Sequence, residues 1–378
     1  MQIKIDSPEE RELIKTLESK TDADSKRMLR FLDMPDLSRT PESPICELVE
    51  RIIKLEDFEN FDIVEAPEIV PADISFDLFD FPSDHPTRSK SDTYYPNEKN
   101  ILRTHTTVMW YYYLMNKKIK ERIKNNEAVG SLSFGKVYRK DEIDRHHMNV
   151  FHQMDGWYLA PKSQKIITIE DLENILIKIA QAIFGKDIKY RFNKDQFPFT
   201  NPSIEMEIEK NGKWMEVLGS GVVSGNVLKK MGVDPENYTG WAFGFGLERL
   251  AIISMELPDI RLLWSQDPRV KKQLRLGNKF KEVSKFPPIT RDISFVVKND
   301  FIPNNYFDLI RDLGGDLVEE VTLLDKYENA EKFGQDKISY TYRIIYRSSD
   351  RTLTGEEVDA IQKKIYDETA KQFWAELR

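Results

Sequence analysis

The sequence predicts an α+β protein of two sheet-containing modules, and three observations carry that expectation. Strand-like stretches crowd residues 130 to 223 around one long amphipathic helix, which points to an antiparallel-leaning sheet in a first domain of about 220 residues. The stretch RVKKQLRLGNKFKEVSK (269–285) holds seven basic residues and one acid, and marks a linker or basic bridge. Beyond it the elements run β-α-β-β-α, with room for a short strand at the very end, which is the order of a small ferredoxin-like βαββαβ sandwich.

Taken in order, residues 1–60 are charged and helix-leaning, and CELVERIIKLEDF (46–58) spaces its apolar positions for an amphipathic helix. From Phe61 prolines and short apolar runs predict strands and ordered loops. A helix is expected at 106–125, then strands near 130–139 and 150–160. IEDLENILIKIAQAIFG (169–185) reads as a long amphipathic helix closed by Gly185. Strands recur near 187–192, 204–209 and 214–223, and FGLERLAIISM is a helix opened by glycines. In the second module the expected elements are Ile293–Val297, the helix Asn304–Leu313 stopped by two glycines, Leu317–Tyr327 and Ile338–Arg347. A last helix is announced by Thr354 and Glu357 in capping-box spacing, with an apolar stripe of Val358, Ile361, Ile365 and Phe373.

Composition narrows the chemistry. No apolar run approaches the ~20 residues that a membrane span needs. One cysteine, Cys46, excludes a disulfide framework and a thiolate zinc cage, and fits a reducing compartment. The first 30 residues carry seven basic and seven acidic side chains, which is not the pattern of a transit or signal peptide. With a net charge of −8, any nucleic-acid partner is held by local basic patches. Neither a GxxxxGK[ST] loop nor a strand–GxGxxG–helix motif is present, so a nucleotide would sit on another platform.

YRKDEIDRHHMNVFHQMDGW (138–157) concentrates His146, His147 and His152 among arginines and acids. Histidines at i, i+1 and i+6 do not face one way on a helix or a strand, and no HExxH or cysteine partner accompanies them, which argues against zinc. A solvated charged hairpin is the bland reading; the alternative is a strand-loop-strand whose alternation puts Phe151, Gln153 and Asp155 on one face and whose Arg139 grips a phosphate bidentately. GWAFGFGLERLAI (240–252) adds small residues that let backbone approach a ligand, followed by Glu248 and Arg249. Helical spacing makes MWYYYL (109–114) a half-buried core face rather than a base-stacking platform, and NKKIKERIKNN a solvated one.

Together these stretches resemble motifs 2 and 3 of the class II aminoacyl-tRNA synthetases. With RTHTT (103–107), SFDLFDFPSDHPTRSKSDTYY (75–95), FPFTNPSIEMEI (197–208), WMEVLGSGVV (214–223) and LPDIRLLW, residues 61–268 resemble the catalytic domain of the phenylalanyl-tRNA synthetase family. KFPPITRDISFVV onward (286–378) resembles that family's ferredoxin-fold anticodon-binding domain, and both on one chain is the arrangement of its monomeric, mitochondrial-type members. Residues 1–60 stand outside the resemblance as an N-terminal helical extension.

The resemblance implies ligation of L-phenylalanine to tRNA(Phe) through phenylalanyl-adenylate, with ATP and Mg2+. Arg139 would hold the α-phosphate and Arg249 the γ-phosphate, as the two catalytic cations; Asp141, His146, Phe151, Glu216 and Gly246 complete the ATP site. Glu205 and Glu216 would meet magnesium or ribose. His105, Thr107, Gln153 and Asp155 resemble the residues around the amino acid's ammonium and carboxylate, Asp155 standing where glutamate is more frequent. Phe197 and Phe199 resemble the pair packed on the substrate ring, above a floor of Ala242 and Gly244, while Asn201 departs from the family's usual glutamate. Arg343 and Arg347, at i and i+4 of one strand, are the candidates for tRNA contact. The family implies a mitochondrial matrix enzyme working as a monomer; a cytoplasmic one is equally compatible with the N-terminal composition. No stretch corresponds to an editing domain. A chain that only holds tRNA would have lost a motif arginine, and both are present; an enzyme acylating another acceptor is disfavoured by Phe197 and Phe199.

Overall fold

An eight-stranded sheet organises the first of two units in the computed structural model, which describes residues 1–282 and 286–378. The first unit comprises Met1–Arg139, Val150–Leu257 and Leu274–Lys279. Its elements are β1 (Gln2–Lys4), α1 (Pro8–Glu18), α2 (Ala23–Asp33), α3 (Pro44–Ile53), β2 (Asp62–Glu65), β3 (Ile69–Pro71), α4 (Ala72–Ser75), β4 (Asn100–Leu102), α5 (Met109–Met115) and α6 (Lys117–Lys124). There follow β5 (Val129–Tyr138), β6 (Val150–Pro161), α7 (Ile169–Phe184), β7 (Tyr190–Phe197), β8 (Thr200–Lys210), β9 (Lys213–Val223), α8 (Gly225–Lys230), β10 (Tyr238–Gly246) and α9 (Leu247–Met255). The sheet runs β1-β2-β5-β6-β10-β9-β8-β7. β1, β2 and β5 pair in parallel and every other pairing is antiparallel.

Alternation gives this sheet two different faces. On one, Trp241, Phe243 and Phe245 of β10 point towards the side where α3, α7 and α9 pack. On the other, Ala242 and Trp157 join Phe79, Val108, Trp110 and Tyr113 in a buried cluster, with Trp110 and Trp157 stacked at 5.0 Å and 7°. α7 starts as the sequence demands, on a reciprocal capping box between Thr168 and Asp171, and ends at Gly185 with φ of 96°. α3 is shorter than expected, Pro44 opening it behind the cap Ser43.

Two expectations are corrected here. The single helix at 106–125 is broken: Asn116 is extended at ψ 129°, and its side chain caps Lys118 N–H to start α6 afresh. The glycines expected to open the FGLERLAIISM helix belong instead to the central strand β10, which runs to Gly246, because large and small residues alternate along it. The aromatic run of α5 is core, as its spacing predicts, with Met109, Trp110, Tyr113 and Leu114 buried.

The second unit comprises Lys140–Asn149, Pro258–Gln273 and Phe280–Arg378. It contains α10 (Pro268–Lys271), β11 (Ile289–Lys298), α11 (Pro303–Gly314), β12 (Val318–Glu328), α12 (Ala330–Phe333), β13 (Lys337–Tyr346), α13 (Gly355–Phe373) and β14 (Glu376–Leu377). Its sheet order, β12-β13-β11-β14, is the expected βαββαβ pattern with the short last strand formed. Ile338, Tyr340, Tyr342, Ile344 and Tyr346 alternate into a core shared with Tyr306, Ile310, Val358 and Ile365. In α13 the inward position predicted for Ile361 is only half-buried; Gln362 is inside instead, accepting from Tyr346 Oη at 2.7 Å. Of the basic stretch 269–285, residues 283–285 lie outside the described residues. No helix among the described residues is long and apolar enough to cross a membrane.

Candidate active site

Pairing register, read across the first unit's sheet, assembles one face residue by residue. Gln153 and Asp155 of β6 stand opposite Gly135 and Ser133 of β5 and opposite Gly246 and Gly244 of β10. Ala242 and Gly244 stand opposite Gly221 and Gly219 of β9, which face Ser203 and Glu205 of β8. Glu207 and Glu216 pair one step further along. Directly opposed residues share a face, so Gln153, Asp155, Ala242, Gly244, Gly246 and Glu205 lie over one floor made mainly of glycine, alanine and serine.

The floor is stripped of side chains because neighbours occupy the space. A Cβ on Gly244 would sit 2.8 Å from Asp155 Oδ1, and one on Gly219 would sit 2.6 Å from Phe197 Cζ. Phe197 ends β7, Phe199 follows in the turn, and their rings stack at 6.0 Å and 19°. Phe199 presents its edge relations to Phe79 and Trp110, at 85° and 88°. An aromatic wall thus stands over Gly219, the partner of Gly244.

The polar groups on this face are mostly acceptors. Asp155 is buried and accepts from Thr106 Oγ1 and, at 2.7 Å, from Thr107 Oγ1. Burial pushes its carboxyl up to about 6 against the lowering effect of the two hydroxyls and Arg139. His105 Nε2 lies 3.2 Å from Ser75 O, a carbonyl that only accepts, so Nε2 carries the ring proton and Nδ1 keeps a lone pair. That Nδ1 is buried without a partner, and so is Gln153 Oε1. Burial and Arg139 hold the imidazole down at about 3, so it stays neutral, stacked at 10° on Phe81. A buried acceptor without a donor is costly; these are suited to receive N–H groups from a ligand.

Cations stand at the rim. Arg139, just past β5, lies 5.1 Å above the Phe151 ring and donates from Nε to Thr104 O at 3.0 Å. Arg249, half-exposed in the first turn of α9, reaches Glu216 Oε2 at 3.4 Å. Glu205 Oε1 accepts from Asn193 Nδ2 at 3.0 Å. Among the described residues no group of three or more His, Cys, Asp or Glu is arranged to hold a metal.

Asp141 and His146 lie in the Lys140–Asn149 segment, which belongs to the second unit. Arg311 donates to the backbone oxygens of Asp141 and Glu142, and exposed His146 gives its N–H to Asp144. Alternation separates the histidines of 138–157: His152 faces away from Gln153, fully buried against Glu248. Arg343 is bidentate to Asp292 at 2.8 Å and Arg347 donates to Glu319 at 2.8 Å. Thr106 and Ser133 were not among the expected site residues; the adjacent hydroxyls of RTHTT were the available signal for the first, whereas Ser133 is placed only by its pairing with Asp155.

Residues 32–274 match the family model of the tRNA synthetase class II core domain (F), and residues 284–378 that of the ferredoxin-fold anticodon binding domain. The chloroplastic/mitochondrial phenylalanine–tRNA ligase of Arabidopsis thaliana is 41% identical over 332 residues, 85% of this chain and 73% of the relative. The chain belongs to the phenylalanine–tRNA ligases. The mitochondrial enzyme of Mus musculus is 35% identical over 83% of this chain and 74% of its own length. The alpha subunit of the Coxiella burnetii ligase is 37% identical over 234 residues, 61% of this chain and 67% of its own. ATP use, usually with Mg2+, is a property of this family.

Proposed function

We propose that the first unit activates L-phenylalanine as phenylalanyl-adenylate and transfers it to tRNA(Phe), with the amino acid lying over Ala242 and Gly244. The observation that carries the reading is the pairing of an aromatic wall, Phe197 and Phe199, with a buried set of acceptors at Asp155, Gln153 and His105. The first suits a phenyl ring, for which edge-to-face packing is worth ~0.5–1.5 kcal/mol beyond area burial. The second suits an ammonium, since ionised Asp155 and the lone pairs of Gln153 and His105 accept and do not compete as donors. Thr107 keeps the Asp155 carboxylate in orientation.

Chemistry follows from placement. The phenylalanine carboxylate attacks the α-phosphate in line and pyrophosphate leaves; a terminal-adenosine hydroxyl of tRNA, the 2′ one by family, then attacks the acyl carbon and releases AMP. Arg139 supplies a planar fork for the α-phosphate and Arg249 a cation for the γ-phosphate, both fixed before charge develops. Phe151, under Arg139, and backbone at Gly246 shape the nucleotide end. Mg2+ takes few carboxylates alongside phosphate oxygens. Glu205 and Glu216, carboxylates from neighbouring strands of the same floor, fit it, and a bound ion would neutralise phosphate charge there. Arg343 and Arg347 are the proposed tRNA contacts of the second unit.

Rejection of tyrosine is proposed to rest on the amino-acid pocket, where Ala242 belongs to the buried cluster against which Phe199 packs. The names of the eukaryotic relatives support a mitochondrial site of action, and the chain is proposed to act as a monomer. Phenylalanine-dependent ATP–pyrophosphate exchange by the purified chain tests the reading; exchange that is absent, or equal for unrelated amino acids, overturns it. Enzyme-dependent deacylation of tyrosyl-tRNA(Phe) would overturn the pocket-only account of fidelity.

A further inference from the structure

We infer that His152 and Glu248 are positioning residues for Arg249, and that the N-terminal segment around Leu37 sets the protonation pattern that lets them act. The inference rests on the phosphate role proposed for Arg249, and its geometry is independent of that role.

The clasp is buried and built from three separate stretches. Leu37 N–H donates to His152 Nε2 at 2.9 Å. Because a backbone N–H can only donate, Nε2 holds a lone pair and the ring proton is on Nδ1. Nδ1 then donates to Glu248 Oε1 at 2.6 Å, while His152 backbone N–H donates to Glu248 Oε2 at 2.8 Å. His152 is 0% and Glu248 3% exposed, so each bond is made away from water, where a lost partner is expensive. Asp36 Oδ1 is 3.4 Å from Nε2, but it accepts from Ser38 N–H at 2.9 Å and Asp36 pairs with Arg39 at 2.5 Å, leaving Leu37 as the donor that selects the tautomer.

This selection matters because of where Glu248 stands. It is the second residue of α9, one step before Arg249 and two after Gly246, the last residue paired to Gln153. Neighbouring helix positions diverge by about 100°, so a carboxylate pinned towards β6 fixes the helix rotation that sends the Arg249 guanidinium out to Glu216. β6 carries Gln153 and Asp155 on its other face. One histidine therefore ties the amino-acid strand to the helix that holds the γ-phosphate arginine. Leu37 is itself anchored: Lys136 of β5, buried, donates to Leu32 O at 2.6 Å and to Met34 O at 2.8 Å. This gives residues 31–38 a share in activation as well as in packing.

The test uses full-length chain and two amides that imitate the two ring nitrogens. Asn places its amide where Nδ1 was and can still donate to Glu248; Gln reaches the Nε2 position and leaves Glu248 without its side-chain donor. His152→Gln is expected to lower exchange kcat and raise the KM for ATP, together on the order of tenfold to a hundredfold in kcat/KM, with the KM for phenylalanine within about twofold. His152→Asn should keep most of the activity at a comparable Tm. Equal activity in the two folded variants, or a loss carried by the phenylalanine KM, overturns the inference. Should either variant fail to fold, 15N NMR of histidine-labelled wild-type protein decides: a buried Nδ1–H tautomer supports the clasp, and an Nε2–H tautomer or a doubly protonated ring sinks it. Arg249→Lys is measured alongside; unchanged ATP kinetics there would defeat the phosphate role while leaving the tautomer result standing.

Discussion

Two antiparallel sheet faces in this protein are built on opposite plans. The site face of the first unit is cleared of side chains along β9 and β10 and keeps buried acceptors at His105 and Gln153 without internal partners. The outward face of the second unit's sheet is full of side chains that satisfy one another. Arg343 is forked onto Asp292, Ser294 and Thr341 hydroxyls share a bond at 2.6 Å, and Arg347 is tied to Glu319. A face that withholds hydrogen bonds internally binds a small ligand selectively, because the ligand relieves a standing cost. A face whose charges are already paired trades one partner for another, and each trade is small.

The largest effect that tests this contrast is expected from Arg139→Lys. Its ammonium cannot reproduce a bidentate fork, and phenylalanine-dependent exchange should fall on the order of a hundredfold or more with an unchanged fold by circular dichroism. An exchange rate equal to wild type would remove Arg139 from the site.

Asp155 comes next. Its carboxyl sits at about 6, so acidification through that value neutralises the group proposed to face the ammonium, and the KM for phenylalanine should climb about tenfold per pH unit below it. The sign for stability is opposite. A carboxyl raised by burial favours the folded state below its unfolded value, and that advantage is lost as pH rises through about 6. Asp155→Asn should therefore lose phenylalanine activation yet be more stable above pH 6, on the order of 2 kcal/mol by denaturant titration at pH 8. A variant that is both inactive and less stable at pH 8 would mean that the carboxylate is structural.

Ala242→Gly should widen the floor by one methyl and raise the use of para-halogenated phenylalanine relative to phenylalanine by about tenfold, the scale of a single methylene in an apolar pocket. An unchanged ratio in competitive charging would place the para position elsewhere. On the paired face, Arg343→Ala should change the KM for tRNA only severalfold and leave exchange untouched, since it gives up an exposed pair already shared with Asp292. A hundredfold rise in that KM would break the contrast between the two faces.

Much of this was legible in the sequence because period-2 patterns specify faces. Phe151, Gln153 and Asp155 fall together, and β5, β6, β8 and β9 lie within a few residues of where alternation puts them. What was not legible depends on partners far along the chain. His152 joins the polar cluster by composition, but Glu248, 96 residues away, claims it on the other side of the sheet. Arg343 is forked to an acid 51 residues distant. The loop between β5 and β6 is the sharpest case: Ile143 is buried in the second unit's core, and Val321 N–H bonds its carbonyl at 3.0 Å, which no local pattern announces.

The stacked pair Trp110–Trp157 has an optical consequence. Both indoles are almost completely sealed, and Trp157 gives its Nε1–H to Ser131 Oγ at 2.6 Å, whereas Trp374 at the end of α13 is 86% exposed. An aqueous quencher such as acrylamide will silence Trp374 long before it reaches the pair, and the protected, blue-shifted emission that survives comes in part from the wall beside Phe199. The protein thus carries its own fluorophore against Phe199, beside the pocket proposed for the phenyl ring, so that occupancy of that pocket can be followed by light without a label.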